Sequence, residues 1–304
     1  MQTLREAIRP TTLIRSAKLC DHLGLDITIA SETFQHTGSF KFRAAYELAS
    51  NVPNDEILTA SSGNFGQALA YACKLVGKRC TVVMPATSAK VKIDAVRGFG
   101  AVVDLVDTAV KGRNERVAEL AAQMPDAYHA SAYDDEYVIA GNSTLGDELA
   151  GRGFDAVIVP VGGGGLISGV ITGLRRNGDT SAEIYGAEPL LGNDATRSFR
   201  AGHLIANETE PMTIADGART ISLGDLNWPI IRDGAIDMIE VSDERIAEAV
   251  RIYFGSANLK CEPTGALTLG AVLEDIERFH DRRICLIVSG GNVDPSLYSS
   301  LIAG

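Results

Sequence analysis

The chain lacks any cysteine pair in C-x-x-C spacing and any apolar stretch near its start. Its five cysteines (Cys20, Cys73, Cys80, Cys261 and Cys285) are widely scattered and odd in number. That usage, with no secretion signal, favours reduced, mostly buried thiols in a cytoplasm over a disulfide framework. The opening "MQTLREAIRPTTLIRS" carries no signal-peptide pattern. No basic stripe is present and the formal net charge is −11, so nucleic acid is not an expected partner. Internal repeats, low-complexity tracts and long linkers are also missing. One run, residues 156–174, is uncharged for 19 residues, but Pro160 and four consecutive glycines interrupt it. It reads as strand, loop and helix, not as a membrane span.

What is present is a core. Of the 304 residues, 45% are hydrophobic, enough for one large domain or two ordinary ones. Short β-rich runs, "DITIA" (26–30), "EILTAS" (56–61), "RCTVVMP" (79–85), "AVVDLV" (101–106), "DAVIVPV" (155–161), "EIYGAE" (183–188) and "ICLIVSG" (284–290), alternate with helical patterns such as "GQALAYACKLV" and "DERIAEAVRIYFG". Near-continuous apolar strands separated by helices predict an α/β fold with parallel sheets covered on both faces. Ligands in such folds bind beyond the carboxyl ends of strands, so the strand-to-helix junctions are the informative places. The segment 207–220 is the longest irregular connection and a candidate functional loop.

Four places stand out. Lys41 lies between Phe40 and Phe42, after a Thr-Gly-Ser turn. It is either a snorkelling surface lysine or, if held against apolar groups, an amine of lowered basicity able to act as a nucleophile. Gly162, Gly163, Gly164, Gly165 and Leu166 follow an apolar strand and open a helix, a geometry that cradles a phosphate. The plainer reading is a tight turn, but four glycines exceed what a turn needs. Ser61, Ser62, Gly63 and Asn64 offer small polar donors at another junction, where an N-cap needs only one and a carboxylate could take several. Ser289 begins a fourth, "SGGN", which taken singly is a plain turn. An amine nucleophile, a phosphate cradle and two polar junctions together suit a phosphate-bearing aldehyde cofactor, pyridoxal 5'-phosphate.

The motifs "ETFQHTGSFKFRAA", "SSGNFGQALAYACK", "VIAGNSTLGDE", "VPVGGGGLISG", "YGAEP", "TIADGART", "LNWPIIRD", "EPTGA" and "SGGNVD" occur in order along nearly the whole chain. In these the sequence resembles the fold-type II pyridoxal-phosphate enzymes of the serine/threonine dehydratase and serine racemase group. The resemblance implies two open twisted sheets, mostly parallel and flanked by helices (tryptophan synthase β-like), with residues 1–46 and 134–304 forming a large cofactor-binding domain and 47–133 a small one. It implies that Lys41 forms the Schiff base, that Ser39 and Phe40 hold it, that Asn64 contacts the cofactor's ring hydroxyl, that Gly162 to Leu166 bind its phosphate, and that Ser289 faces the pyridine nitrogen. Ser61, Ser62, Gly63 and Asn64 become the substrate-binding turn. The group's usual histidine is Phe65 here, "RGA" is "RAA", and "AGQGT" is Gly141-Asn142-Ser143-Thr144. These departures bear on the substrate. With Gly304 the last residue, no C-terminal regulatory domain is expected.

The leading expectation is an ammonia-lyase that eliminates water from a small 3-hydroxy amino acid: serine, threonine or 3-hydroxyaspartate. The second is a racemase, with Lys41 on one face of the substrate and Ser62 on the other. β-Replacement fits the motifs less well, and a degenerate cofactor-binding module conflicts with the intact Lys41 and glycine loop. Arg219 could meet a second substrate carboxylate or be a solvated surface arginine. A divalent cation, Mg²⁺ or Ca²⁺, is expected at Glu188, the Gly192 carbonyl and Asp194. The spacing suits hard-cation oxygen ligands and the resemblance supports it; the alternative is that the two carboxylates cap a strand end and the next helix. The resemblance also suggests a homodimer.

Overall fold

The computed structural model describes residues 2–61, 63–88 and 90–304. Among them ten strands form two sheets: β1 (Thr12–Ile14), β2 (Asp26–Ser31), β3 (Glu56–Ala60), β4 (Arg79–Pro85), β5 (Val102–Val106), β6 (Tyr128–Ala130), β7 (Ala156–Pro160), β8 (Glu183–Pro189), β9 (Asp237–Val241) and β10 (Arg283–Val288). One sheet runs β1-β2-β10-β7-β8-β9, the other β5-β4-β3-β6. Every pairing is parallel except β1 with β2. The two-sheet, mostly parallel α/β architecture expected from the motifs is therefore present.

Burial follows the sequence pattern. All five residues of β7 are buried, as are Ile284–Val288 of β10, because helices cover both faces of these central strands. Three strands go beyond the expected set. β1 and β6 have three residues each, and β9, "DMIEV", interrupts its apolar residues with charge. β1, β6 and β9 all lie at sheet edges, where one ladder is unpaired and the apolar signal is weak.

The apolar run at 156–174 resolves into β7, a glycine loop and the helix Gly165–Arg176. That helix packs backbone-close on the helix Glu136–Leu149. A Cβ on Gly173 would lie 2.1 Å from the Ser143 carbonyl oxygen, and one on Gly146 2.4 Å from that of Val170, so only glycine permits this approach. The helix Pro263–Glu274 is apolar nearly all round and sits inside, with residues 263–272 all buried. No helix among the described residues is long and apolar enough to cross a membrane.

Candidate active site

The turn that presents Lys41 is built onto the carboxyl end of β10. Phe40 N–H donates to the Ser289 carbonyl (3.0 Å), Gly291 N–H donates to the Gly38 carbonyl (3.0 Å), and Ser39 bridges to Gly290. Gly38 has φ +76°, and a Cβ there would lie 2.4 Å from Asn292 Oδ1. The glycine thus supplies both the left-handed turn and the close approach. Lys41 then opens the helix Lys41–Asn51. Two residues on, the Arg43 guanidinium is fully buried and forks onto Glu32 (2.7 and 2.8 Å), with Nη1 reaching Thr144 (3.0 Å) and Glu148 (2.7 Å). These bonds fix the register of the helix that carries the lysine.

Lys41 is partly exposed as a residue, but its Nζ is enclosed, donating to the Ala132 carbonyl at 2.7 Å and lying 4.9 Å from the Phe40 ring centre and 5.7 Å from that of Phe65. Burial pushes the amine down to about 8, partly opposed by Glu262. The lysine is therefore not a snorkelling surface residue: it is an amine whose neutral form is accessible near physiological pH. Phe65 adds an aromatic face here, where a histidine would have added a polar group.

Asn64, Ser61 and Ser289 gather around the same turn. The helix Asn64–Val76 begins at Asn64, whose Nδ2 donates to both oxygens of Glu262 (2.9 and 3.1 Å) and whose Oδ1 accepts from Asn292 (2.8 Å). Ser61 Oγ accepts from the N–H groups of Gly63 (3.4 Å) and Gly66 (3.0 Å), which shapes the turn before that helix. Ser62 lies outside the described residues. Ser289 and Ser39 each bury a hydroxyl with no hydrogen-bond partner among the described residues. Two orphaned hydroxyls in a lysine-bearing cleft suit a polar heterocycle bound there.

Gly164 has φ +91° and caps the helix Gly165–Arg176. A Cβ on Gly163 would lie 2.2 Å from the Tyr133 ring, so that position tolerates no side chain, and one on Gly162 would be tight, 3.1 Å from the Ala218 Cα. The N–H groups of Gly162, Gly163 and Gly164 donate to no acceptor among the described residues. Free N–H groups at the start of a 12-residue helix are the donor set a phosphate requires. The residues present thus fit pyridoxal phosphate at both its ends.

β7 and β8 are neighbours, so Glu188 lies close to this loop. The Glu188 carboxylate accepts from the N–H groups of Ala195 and Thr196, so it is Glu188, not Asp194, that caps the helix Asp194–Ala201. Both carboxyls are buried and pushed up, Glu188 to about 8 and Asp194 to about 7, chiefly by desolvation. Asp194 Oδ1 accepts from Asn207 (2.8 Å), while Oδ2 is buried without a partner among the described residues. Gly192 packs on Pro211, where a Cβ would come within 2.8 Å. Arg219 turns back on its own loop, donating Nε and Nη2 to the Thr213 carbonyl. The loop's contacts with the smaller sheet are instead Lys92–Asp216 (3.1 Å) and Arg113–Glu210 (2.8 Å).

Glu262, which no sequence motif singled out as a site residue, also faces Asn64. It lies in the quoted "EPTGA", and a glutamate immediately before a helix-opening proline was the available signal. The carboxyl is buried and pushed up to about 8, chiefly by desolvation.

Comparison with known proteins fits this geometry. A family model described as "Pyridoxal-phosphate dependent enzyme" matches residues 4–290. The L-threo-3-hydroxyaspartate ammonia-lyase of Pseudomonas sp is 36% identical over 97% of this chain and 93% of its own length. The serine racemase of Schizosaccharomyces pombe is 33% identical over 99% of this chain and 94% of its own. The solved threonine deaminase of T.th. superposes with a TM-score of 0.89 at 38% identity, covering 96% of this chain and 95% of that one.

Proposed function

The chain belongs to the pyridoxal-phosphate-dependent enzyme family, and from that premise we propose that it is an ammonia-lyase removing water and then ammonium from a 3-hydroxy amino acid. The observation that carries the reading is the enclosed Lys41 amine, poised near neutrality, facing the same cleft as a glycine loop with free N–H groups.

Pyridoxal phosphate, when bound, supplies an aldehyde for amines and a ring that accepts the electron pair released at the substrate Cα. The chain's residues do the rest. The loop Gly162–Leu166 would hold the phosphate, Asn64 the ring hydroxyl and Ser289, with a neutral hydroxyl, the ring nitrogen. Lys41, as the neutral amine, takes the proton from the substrate Cα. The Lys41 ammonium so formed returns that proton to the β-hydroxyl, which leaves as water, and hydrolysis of the released enamine gives a 2-oxo acid and ammonium. Ser61, Gly63 and Asn64 receive the substrate carboxylate at the start of the helix Asn64–Val76.

3-Hydroxyaspartate is the first substrate to try, because the Pseudomonas relative is named for it. Its second carboxylate needs a cation. Lys92, half-exposed and paired with Asp216, is the candidate we propose. Racemisation is the second reading, favoured by the relative named serine racemase, and it assigns Ser62 as the acid on the opposite face of the substrate. Incubation with serine, threonine and 3-hydroxyaspartate, following oxo-acid release and substrate chirality together, tests both. Oxo acid from none of them would refute the lyase reading.

A divalent cation, Mg²⁺ or Ca²⁺, at Glu188, the Gly192 carbonyl and Asp194 is part of the same proposal. The orphaned Asp194 Oδ2 beside a second buried carboxyl is the supporting observation. No cluster of three His, Cys, Asp or Glu side chains is found among the described residues, so backbone carbonyls and water would complete the shell. The cation's role would be to order the segment beside the phosphate loop. The expected homodimer is tested by sedimentation: a single species of monomer mass would refute it.

A further inference from the structure

A loop of four glycines has no side chains with which to hold itself, and glycine backbones lose the most freedom on ordering. Something outside must set its shape. Gly163 O accepts two donors, Gly224 N–H (3.0 Å) and Asn227 Nδ2 (3.0 Å). Gly165 O accepts Asn142 Nδ2 (2.9 Å). A trans peptide directs the N–H of one residue opposite to the carbonyl before it. Pinning the Gly163 carbonyl therefore aims the Gly164 N–H the other way, and pinning the Gly165 carbonyl does the same for Leu166. We propose that Asn227, seconded by Asn142, is a positioning residue that aims the backbone donors of the glycine loop at the cofactor phosphate. This rests on the reading that the loop binds that phosphate.

Two further observations favour the assignment. Both asparagines are fully buried and each keeps an amide oxygen with no partner among the described residues. A residue selected for stability alone would avoid that burden. Their orientations are fixed nonetheless, because flipping either amide would set its oxygen against a carbonyl oxygen. Asn227 Nδ2 also donates to the Tyr133 carbonyl (2.9 Å), one residue after the Ala132 carbonyl that receives Lys41 Nζ. The same amide thus ties the loop that receives the phosphate to the segment that holds the lysine.

The test compares pyridoxal 5'-phosphate with pyridoxal, which keeps the aldehyde and lacks the phosphate. Dissociation constants for both are measured on the cofactor-depleted full chain by absorbance, for the native protein, Asn227→Ala and Asn142→Ala. The native chain prefers the phosphorylated form. Asn227→Ala is expected to reduce that preference by about tenfold and Asn142→Ala by a smaller factor, with pyridoxal affinity held within about twofold. A general structural defect would weaken both ligands alike, so the ratio isolates the phosphate. An unchanged ratio in Asn227→Ala overturns the proposal. Should that variant fail to fold, Asn227→Ser, which removes the amide donor at smaller loss of volume, decides in its place by the same ratio. A native chain with no preference would instead refute the phosphate-loop reading itself.

Discussion

Asn64 Nδ2 donates to both carboxylate oxygens of Glu262 across 198 residues of sequence. The bond joins the helix that follows β3 to the buried helix Pro263–Glu274 behind the larger sheet. Glu262→Gln places an amide against the Asn64 amide and removes one acceptor. We expect kcat/KM to fall by roughly tenfold or more. Thermal unfolding should change little, because the substitution also relieves a buried carboxyl. A melting temperature that falls in step with activity would mark Glu262 as merely structural.

The Lys41 amine gives a pH signature. Its folded value of about 8 lies below the ordinary lysine value, so between about pH 8 and 10 the folded state binds fewer protons than the unfolded one. Stability of the cofactor-free chain should rise across that window on this account. Reductive labelling of Lys41 by a small aldehyde should rise with a midpoint near 8. Because Glu262 holds the amine up, Glu262→Gln should move the midpoint down. A midpoint near 10 would mean that the amine is exposed.

Arg43 tests the scaffold beneath the lysine. Arg43→Met leaves the Glu32 carboxyl buried with its ion-pair partner gone, a loss of about 3–5 kcal/mol for a buried pair. Arg43→Lys should recover little, since an ammonium cannot reproduce the fork. Chemical denaturation measures both. A loss under about 1 kcal/mol for either variant would contradict the network's role.

Chelation tests the cation. EDTA should lower both activity and melting temperature, and Mg²⁺ or Ca²⁺ should restore them. Glu188→Gln combined with Asp194→Asn should reproduce the chelated state and no longer respond to added metal. Indifference of both readouts to EDTA would remove the site.

Much of this was legible in the sequence, and for identifiable reasons. β7 and β10 announce themselves because both faces are buried and nearly every residue is apolar. The glycine loop shows because no other residue fits beneath the Tyr133 ring. Lys41 stands out as a cation set between aromatic residues. Glu262, Asn227 and Asn142 were not legible in the same way. Each acts through a partner 23 to 198 residues distant, and no local pattern encodes such a meeting. Which carboxylate caps the helix Asp194–Ala201 was hidden likewise, since proximity in sequence favoured Asp194 while the fold brings Glu188 to the helix end.

The most direct test of the central claim is to load the chain with pyridoxal phosphate, reduce it with borohydride, digest it and locate the attached group by mass spectrometry. The expected result is a single modified residue, Lys41, and loss of both label and oxo-acid formation in Lys41→Ala. Label on another lysine, or near-native turnover by Lys41→Ala, would contradict it.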